Sequence, residues 1–401
     1  MFIIINKFYF IKLIIIIKII ENLFKKCELI MLIKETLYAL DDVTIIPAPQ
    51  SSVRHRTDIK VTYDNGDLPI FTAPMDAVVG ACNMTIFEKN NIIPIMPRTE
   101  SIETRLEWYK KGYWIAVGLT EFEDYWLHVT NFPLPDDDIT VKVLIEQANG
   151  HMDILPEYIK KAKKNAEKYK VNLEIMIGNI AEPGAYKILA EAGADYVRIG
   201  IGGGSCCITA SNSANYMPMA SLIDDCKGLK DSYNLTCKII ADGGISNFSR
   251  AIKALALGAD YVMMGSLLGS CFESAAELHC NSVEDEVITY NMHDDLTCNI
   301  CHVMSEDEKK KFIATYHPIK NIYGMSTRKA QMKINPNAKL KTSEGIERIL
   351  KVEYTLAQWV DNFKSFLRTA MSYDNFTNIK EFIGGPTLKL LSESAKASIN
   401  K

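Results

Sequence analysis

Residues 238–266 read KIIADGGISNFSRAIKALALGADYVMMGS, and this stretch decides the fold class. It holds two short apolar runs, Lys238–Ala241 and Tyr261–Met264, on either side of a segment, Asn247–Leu257, whose apolar residues recur at helical spacing. A strand, a helix and a second strand in this order form a right-handed βαβ unit with parallel strands. The stretch therefore predicts an α/β fold with a parallel sheet.

The same alternation continues upstream of this unit. Helical patterns such as Pro156–Lys170 separate six further apolar runs, which are Pro69–Thr72, Ile92–Met96, Trp114–Val117, Val141–Ile145, Leu173–Ile177 and Tyr196–Ile199. Eight such strands close a (β/α)8 TIM barrel. The alternative, an open doubly wound sheet, would carry a G-x-G-x-x-G turn after its first strand, and the sequence lacks that turn there.

The predicted organisation is a single barrel domain over residues 31–401, with an insertion at 278–316 after strand eight. Asn65-Gly66 predicts a hairpin that closes the bottom of the barrel. Residues 1–30 form an isoleucine-rich hydrophobic extension that we expect to lie outside the fold. Its apolar runs are interrupted by lysines, each costing about 2.5 to 3.5 kcal/mol at a bilayer centre. We therefore expect upstream sequence before a start at Met31, with a membrane or targeting segment as the alternative.

The composition of the 401 residues limits the function classes. A balance of 45 Lys+Arg against 49 Asp+Glu gives a formal net charge of -4, which argues against nucleic acid as a partner. Ten cysteines are too few for a disulfide scaffold. We therefore expect a reducing, cytoplasmic location and look for thiol chemistry.

In a TIM barrel the turns after the strands carry the chemistry. After strands seven and eight, Gly243, Gly244, Gly265 and Ser266 predict a phosphate site, because glycine turns let backbone N–H groups approach an anion. Asp242, at the tip of strand seven, is placed to accept hydrogen bonds from two ribose hydroxyls. One glycine of this kind would indicate only a turn, so the prediction depends on the two neighbouring turns together.

The turn after strand six, Gly200–Thr209, reads GIGGGSCCIT. Cys207 lies there beside the predicted anion pocket, where neighbouring N–H groups favour the thiolate, the nucleophilic form of the side chain. Ser205 adds a hydroxyl group to the phosphate site. Only one of the two adjacent thiols can face the pocket, so we expect Cys206 to be a packing residue.

Together these motifs resemble the IMP dehydrogenase/GMP reductase family. The loop Gly200–Thr209 resembles the catalytic loop of the family, and the similarity runs from about Leu37 to Tyr373. The other matching segments, in the order of the family, are Asp41-Asp42-Val43 with Ile46-Pro47, Ala73–Asp76, Ala241–Gly244, Met263–Ser266, Tyr323–Ser326 and Glu344-Gly345. Each segment alone is common, whereas their combination is specific.

The resemblance implies a purine nucleotide oxidoreductase in which Cys207 attacks C2 of the purine ring and Thr209 assists proton transfer. The implied substrate is a purine nucleoside monophosphate. Its expected contacts are Ser205, Asp242, Gly243, Gly244, Met264, Gly265, Ser266, Tyr323, Gly324, Met325 and Glu344.

The resemblance also implies a nicotinamide cofactor, NADPH or NAD, bound by Asn149, Gly150 and Asn179. Before the turn with Asn149 the family usually has Asp, and this chain has Glu146 there. Loop carbonyls at Gly202, Gly204 and Cys207 would offer a potassium site. A homotetramer is expected by analogy with similar proteins, and a membrane is not an expected partner.

Two activities share this covalent chemistry. A GMP reductase converts GMP to IMP and ammonia with NADPH, whereas an IMP dehydrogenase oxidises IMP to XMP with NAD and activates water through a long flap with an Arg-Tyr pair. The span from Tyr323 to Glu344 is short and has no Arg-Tyr pair, and no regulatory domain separates strands two and three, so we favour the reductase.

Other features favour the alternatives. Ala73–Asp76, Ala241–Ile245 and Met263–Leu268 look more like the dehydrogenase segments. Arg328 stands where the reductase has a proton-relaying Glu, and an arginine stays protonated near neutral pH. This departure, together with Glu146, also motivates a third hypothesis, a catalytically inactive barrel that binds purine nucleotides.

The predicted insertion contains Cys298-Asn299-Ile300-Cys301-His302, which has the C-x-x-C-H form of a c-type haem attachment site. His279, Cys280 and His293 are close in sequence, so a zinc site is a second hypothesis. The spacing is irregular for zinc. We therefore favour a surface insertion whose thiols are incidental.

Overall fold

The computed structural model describes residues 36–281, 287–290, 303–335, 337, 343 and 345–399. Its strands are β1 (Val43–Ile46), β2 (Ile70–Thr72), β3 (Ile95–Met96), β4 (Trp114–Val117), β5 (Val141–Glu146), β6 (Leu173–Ile180), β7 (Tyr196–Ile199), β8 (Lys238–Asp242), β9 (Tyr261–Met264), β10 (Leu278–Asn281), β11 (Val287–Tyr290), β12 (Ile319–Tyr323), β13 (Glu347–Lys351) and β14 (Thr387–Leu390).

Helices cover the sheet and follow most of its strands. They are α1 (Met84–Lys89), α2 (Ile102–Tyr109), α3 (Leu119–Trp126), α4 (Leu155–Tyr169), α5 (Pro183–Glu191), α6 (Thr209–Ser213), α7 (Met219–Ser232), α8 (Phe248–Leu257), α9 (Ser266–Gly269), α10 (Glu306–Tyr316), α11 (Arg328–Ile334), α12 (Leu356–Tyr373), α13 (Ile379–Phe382) and α14 (Glu393–Ile399). Helix α8 begins as its sequence predicts, because the Asn247 side chain accepts a hydrogen bond from Arg250 N.

Eight parallel strands form the central sheet in the order β2-β9-β8-β7-β6-β5-β4-β3. A parallel bridge between Phe71 and Ile93 joins its two ends, where Thr72 N donates to Ile93 O at 3.0 Å. The prediction of an α/β (β/α)8 TIM barrel is therefore confirmed. The predicted strands differ from the observed ones by a few residues at their ends. At β3 only Ile95 and Met96 are regular strand, and β6 continues to Ile180.

Alternate strand residues fill the barrel interior, as the two-residue period of a strand requires. Phe71, Trp114, Tyr196 and Tyr261 pack edge to face or tilted near the amino ends of the strands. Above them lies a buried apolar layer that includes Leu144, Met176, Ile240 and Met263. The bottom of the barrel is thus closed by aromatic rings. Interior residues closer to the carboxyl ends of the strands face the opposite end, where the functional site is expected.

The predicted hairpin at Asn65-Gly66 is wrong in form. Tyr63 N donates to Asp67 O at 2.8 Å, and Gly66 has a φ of +93°, so the segment makes a tight turn without flanking strands. Its position agrees with the expectation, because the Tyr63 ring lies 5.0 Å from the Tyr261 ring at the bottom of the barrel. The segment is too short between Val61 and Ile70 for two paired strands.

Two further sheets lie outside the barrel. Strands β11, β10, β12 and β13 form an antiparallel sheet in that order, and β1 pairs antiparallel with β14. The predicted insertion, 278–316, contributes β10, β11 and α10, but its C-x-x-C-H motif lies outside the described residues, as do residues 1–30. Among the described residues, no group of three His, Cys, Asp or Glu is arranged to hold a metal ion.

In the described part of the chain, no helix is both long enough and apolar enough to cross a bilayer.

Asp374 yields a testable pH dependence. It follows the C-terminus of α12, is 8% exposed, and its burial raises the pKa of the carboxyl to about 6. The unfolded carboxyl ionises at lower pH, so the folded state is penalised as pH rises through this range, and the helix dipole adds to the penalty. We expect Asp374→Asn to raise the free energy of unfolding by about 1 kcal/mol at pH 7.5 and to change it little at pH 4. Urea unfolding at both pH values measures this, and an equal effect at both would contradict it.

Candidate functional site

A cleft of about 400 Å³ opens at the carboxyl ends of the barrel strands. Its walls come from the turns after β2, β3, β5, β7, β8, β9 and β12, from Asn179 near the end of β6, and from the middle and end of α11. The predicted residues that line it are Asn179, Gly202, Gly204, Ser205, Cys207, Thr209, Asp242, Gly243, Gly244, Gly265, Ser266, Gly324 and Met325. The fold therefore brings most of the predicted site together in one place.

Cys207 lies on the loop between β7 and α6. Its backbone N–H donates to Gly204 O at 3.0 Å, and its Sγ lies 3.3 Å from the Thr209 hydroxyl. The neighbouring Cys206 is 6% exposed, packs against Ala77 and Ile322, and has a pKa that burial raises. The two thiols thus differ as expected, since Cys207 is the more accessible and has a hydroxyl partner for proton transfer.

The predicted phosphate residues form a cradle of close backbone approaches. Gly243 and Gly244 have φ values of +98° and +76°, a region that favours glycine. A Cβ atom on Gly243 would lie 3.0 Å from Gly204 N, so the turns after β7 and β8 are in direct contact. Ser205 and Ser266 line the same cleft. Backbone N–H groups and hydroxyls in such turns suit an anion.

Asp242 is held firmly at the tip of β8. Its Oδ2 accepts hydrogen bonds from Asn179 Nδ2 at 2.7 Å and from Arg198 Nη2 at 2.8 Å. Asn179 Nδ2 also donates to Gly200 O at 2.9 Å, which ties the turn after β6 to the loop after β7. The carboxylate is therefore oriented before any ligand binds, and Asn179 acts on it from β6, two strands away in the sheet.

Arg98, Glu146 and Arg198 form a charged cluster in the cleft that the sequence did not predict. Arg198 Nη1 lies 3.6 Å from Glu146 Oε1, and Arg98 lines the same wall. Burial raises the pKa of Glu146, and the positive charges of Arg198 and Arg98 oppose this rise. A signal was present in the sequence, because Glu146 and Arg198 continue the interior register of otherwise apolar strands.

This charged set has unused hydrogen-bonding capacity. Within the described part of the chain, Arg198 Nε and Nη1, Arg98 Nε and Glu146 Oε2 are buried without a hydrogen-bond partner. Arg198 is only 5% exposed, so an unpaired donor there is costly unless a ligand or water meets it. The inner end of the cleft is therefore suited to a polar ligand group.

The side chains of two predicted substrate contacts, Met264 and Tyr323, do not line the cleft. Met264 is fully buried and points outward into the core between sheet and helices, so its neighbour Met263 faces the cleft instead. The alternation of side chains along β9 is the reason. Tyr323 lies beneath the cleft, because its hydroxyl donates to Asp76 Oδ2 at 2.7 Å and accepts from Lys333 Nζ at 2.9 Å.

The predicted cofactor contacts at the turn after β5 are also not in the cleft. Asn149 is exposed, and its side chain accepts a hydrogen bond from His151 N. Gly150 donates to Asn179 O at 2.8 Å, and a Cβ atom there would lie 2.7 Å from the same oxygen, so its role is close packing. Gln147 and Ala148 line the cleft from this turn instead.

The segment after β12 contributes to the cleft both before α11 and within it. Gly324 and Met325 line it, and Gln331 Nε2 donates to Met325 O at 2.6 Å. Arg328 is exposed at the first position of α11 and is not among the residues that line the cleft. Glu344 lies outside the described residues.

Comparison with known proteins identifies relatives over the middle of the chain. A family model described as "IMP dehydrogenase / GMP reductase domain" matches residues 110–291. An inosine-5'-monophosphate dehydrogenase of Chlorobaculum parvum is 41% identical over 135 residues, which is 34% of this chain and 26% of the relative. A GMP reductase of Leishmania donovani is 37% identical over 132 residues, 33% of this chain and 26% of the relative.

A further match is an inosine-5'-monophosphate dehydrogenase of Cryptosporidium parvum, 35% identical over 135 residues, which is 34% of this chain and 32% of the relative. The matched stretch thus spans no more than about a third of these relatives. The family-model match over residues 110–291 contains the loop with Cys207. The relatives carry both names at similar identity.

Proposed function

The chain belongs to the IMP dehydrogenase/GMP reductase family, and from this premise we propose that it is a purine nucleotide oxidoreductase acting through Cys207, with GMP as the favoured substrate. One observation carries the proposal. The thiol of Cys207 and the hydroxyl of Thr209 lie 3.3 Å apart in a cleft that also contains the glycine turns and Asp242. Nucleophile, proton carrier, ribose acceptor and phosphate cradle thus share one cavity.

In the proposed reaction, Cys207 Sγ bonds to C2 of the purine and the 2-amino group leaves as ammonia. A nicotinamide cofactor, when bound, would supply the hydride needed at C2, and the bond from Cys207 Sγ to C2 would then break to release the thiol. The balance is GMP, NADPH and two protons giving IMP, NADP⁺ and ammonium. Thr209 accepts the proton of Cys207 and passes it onward, while Asp242, fixed by Arg198 and Asn179, orients the ribose.

The residues present fit a cofactor only in part. The unpaired N–H groups of Arg198 and Arg98 and the side chain of Asn179 offer polar contacts at the inner end of the cleft. Asn149 and Gly150 do not offer such contacts, and Gln147 and Ala148 take their place in this proposal. Carbonyl oxygens at Gly202, Gly204 and Cys207 are a donor type that suits a hard cation such as potassium. Potassium, the homotetramer and the cytoplasmic location stay predictions.

The position of Arg328 supports the reductase over the dehydrogenase. An arginine that activates water must reach the adduct, and Arg328 is exposed outside the cleft. The dehydrogenase, converting IMP to XMP with NAD, is the second candidate because matched relatives carry that name. The inactive nucleotide-binding barrel is the third, because the glutamate that relays protons in the reductase is absent at Arg328.

Paired assays on the full chain separate the three candidates. We expect GMP with NADPH to consume the nicotinamide absorbance and release ammonia, and IMP with NAD to give slower or no change. Turnover with IMP and NAD alone would establish the dehydrogenase instead. Nucleotide binding without turnover in either assay would establish the inactive barrel, and the absence of both would contradict the proposed function.

A further inference from the structure

We propose that Arg250 is a positioning residue for the phosphate cradle, fixing the turn after β8 to the N-terminal segment Ala39–Asp42. The inference rests on the proposed function, since it concerns how the cradle recognises a nucleotide monophosphate. Arg250 lies in the first turn of α8, directly after the glycine turn. Its side chain borders the cleft, and its hydrogen bonds go to other residues of the chain.

The guanidinium group of Arg250 bridges two distant segments. Nη1 donates to Gly244 O at 2.9 Å and to Ser246 Oγ at 2.8 Å. Nε donates to Asp41 Oδ1 at 2.9 Å, and Nη2 donates to Asp41 Oδ2. An arginine has five N–H donors, and these contacts use four of them. Arg250 therefore acts on a ligand through Gly244 and not mainly by direct contact.

The N-terminal segment is anchored well enough to hold the turn. Strand β1 follows it and pairs with β14 over four residues, and Asp42 forms an ion pair with Lys396. On α8, Lys253 Nζ also donates to Leu40 O at 3.1 Å. The side chains of Asp41 and Arg250 are 43% and 28% exposed, so their ion pair adds little to the stability of the fold. Its effect is to fix the orientation of the guanidinium group, because two parallel hydrogen bonds join it to the carboxylate.

A second cavity explains why this contact is needed. About 140 Å³ of space separates the segment Ala39–Asp41 from Gly203, Gly243 and Gly244. The glycines have no side chains to fill it, so the turn is not supported by tight packing on this side. The hydrogen bond from Arg250 spans the edge of this space and fixes the Gly244 peptide.

The ribose contact is fixed independently of Arg250. Asp242 is held by Arg198 and Asn179, which belong to β7 and β6 and do not touch Arg250. Loss of Arg250 should therefore loosen the phosphate cradle and leave the ribose acceptor in place. A structural role without positioning would weaken every ligand alike.

The test compares GMP with guanosine, which lacks the phosphate, by calorimetric titration of the full chain. We expect Arg250→Met to weaken GMP binding about 10-fold or more and guanosine binding less than about 2-fold, with kcat at saturating GMP changed less than about 3-fold. Asp41→Asn should show the same pattern with a smaller loss. Arg250→Lys, which cannot bridge two segments in the same way, should restore only part of the affinity.

Lys187→Met is the control, because it removes a helical cation that pairs with Glu191 within α5 and that borders neither the cleft nor the second cavity. It should change neither affinity. Equal weakening of GMP and guanosine, or no change in Arg250→Met, would overturn the positioning role while leaving the proposed function intact. If Arg250→Met does not fold, the same criteria apply to Asp41→Asn. Failure of the unmodified chain to bind GMP or IMP would instead overturn the proposed function.

Discussion

Replacing Cys207 by alanine is expected to lower nicotinamide turnover by at least about 10³-fold, because the variant has no nucleophile to form the adduct at C2. Binding of GMP should stay within about 3-fold of the unmodified chain. The phosphate cradle and Asp242 do not depend on the thiol, since Cys207 contacts Thr209 and Gly204. Steady-state kinetics and calorimetric titration of the same preparation measure both quantities.

Cys206→Ala is the control for this substitution. Cys206 is adjacent in sequence but packs against the side chains beneath the cleft, so its loss should cost about 1 kcal/mol of stability and leave turnover within a few-fold. Full activity in Cys207→Ala would contradict the covalent mechanism. Equal inactivation of both variants would show that disturbance of the loop, and not loss of the nucleophile, is the cause.

Gly200→Ala is expected to destabilise the fold by about 3 kcal/mol or more and to abolish nucleotide binding. Gly200 has a φ of +118°, and an added Cβ would lie 2.2 Å from Asp242 O and 2.6 Å from Met219 Cε. The backbone after β8 cannot yield without moving Asp242 and the glycine turn. The loop that carries Cys207 would therefore separate from the phosphate cradle.

Gly228→Ala is the matched control, and its effect should have the opposite sign. Gly228 lies inside α7, and an added Cβ would have no atom within 4 Å. Alanine has the higher helix propensity, so the variant should gain about 0.5 to 1 kcal/mol. Urea unfolding of both variants gives the comparison. A loss below about 1 kcal/mol in Gly200→Ala would contradict the close approach of the two loops.

The barrel could be predicted because each of its strands and helices has a hydrophobic pattern that is visible within a short stretch of sequence. Apolar runs and helical spacing lie within a few residues of each other, and glycine turns mark the functional end. The exterior sheets could not be predicted in this way. Strands β1 and β14 pair Val43 with Leu390, and β10, β12 and β13 are drawn from separate parts of the chain. Such pairings depend on tertiary contacts and not on local pattern.

The same distinction applies to the site. The loop with Cys207 and the glycine turns are short motifs, and the fold brings them together as expected. Arg98 lies in the turn after β3, whereas Glu146 and Arg198 lie in β5 and β7, so only the interior register of the last two could have indicated the cluster. The misplacement of Met264 follows from the same cause, since residue order alone does not say which of two adjacent methionines faces the barrel interior.

The most direct test of the account is the fate of the transferred hydride. The full chain is incubated with GMP and NADPH carrying deuterium at the transferable position of the nicotinamide, and the product is analysed by mass spectrometry and proton NMR. The product is expected to be IMP that carries deuterium at C2, with one ammonium released for each IMP formed. IMP without deuterium at C2, or no IMP from a chain that binds GMP, would contradict it.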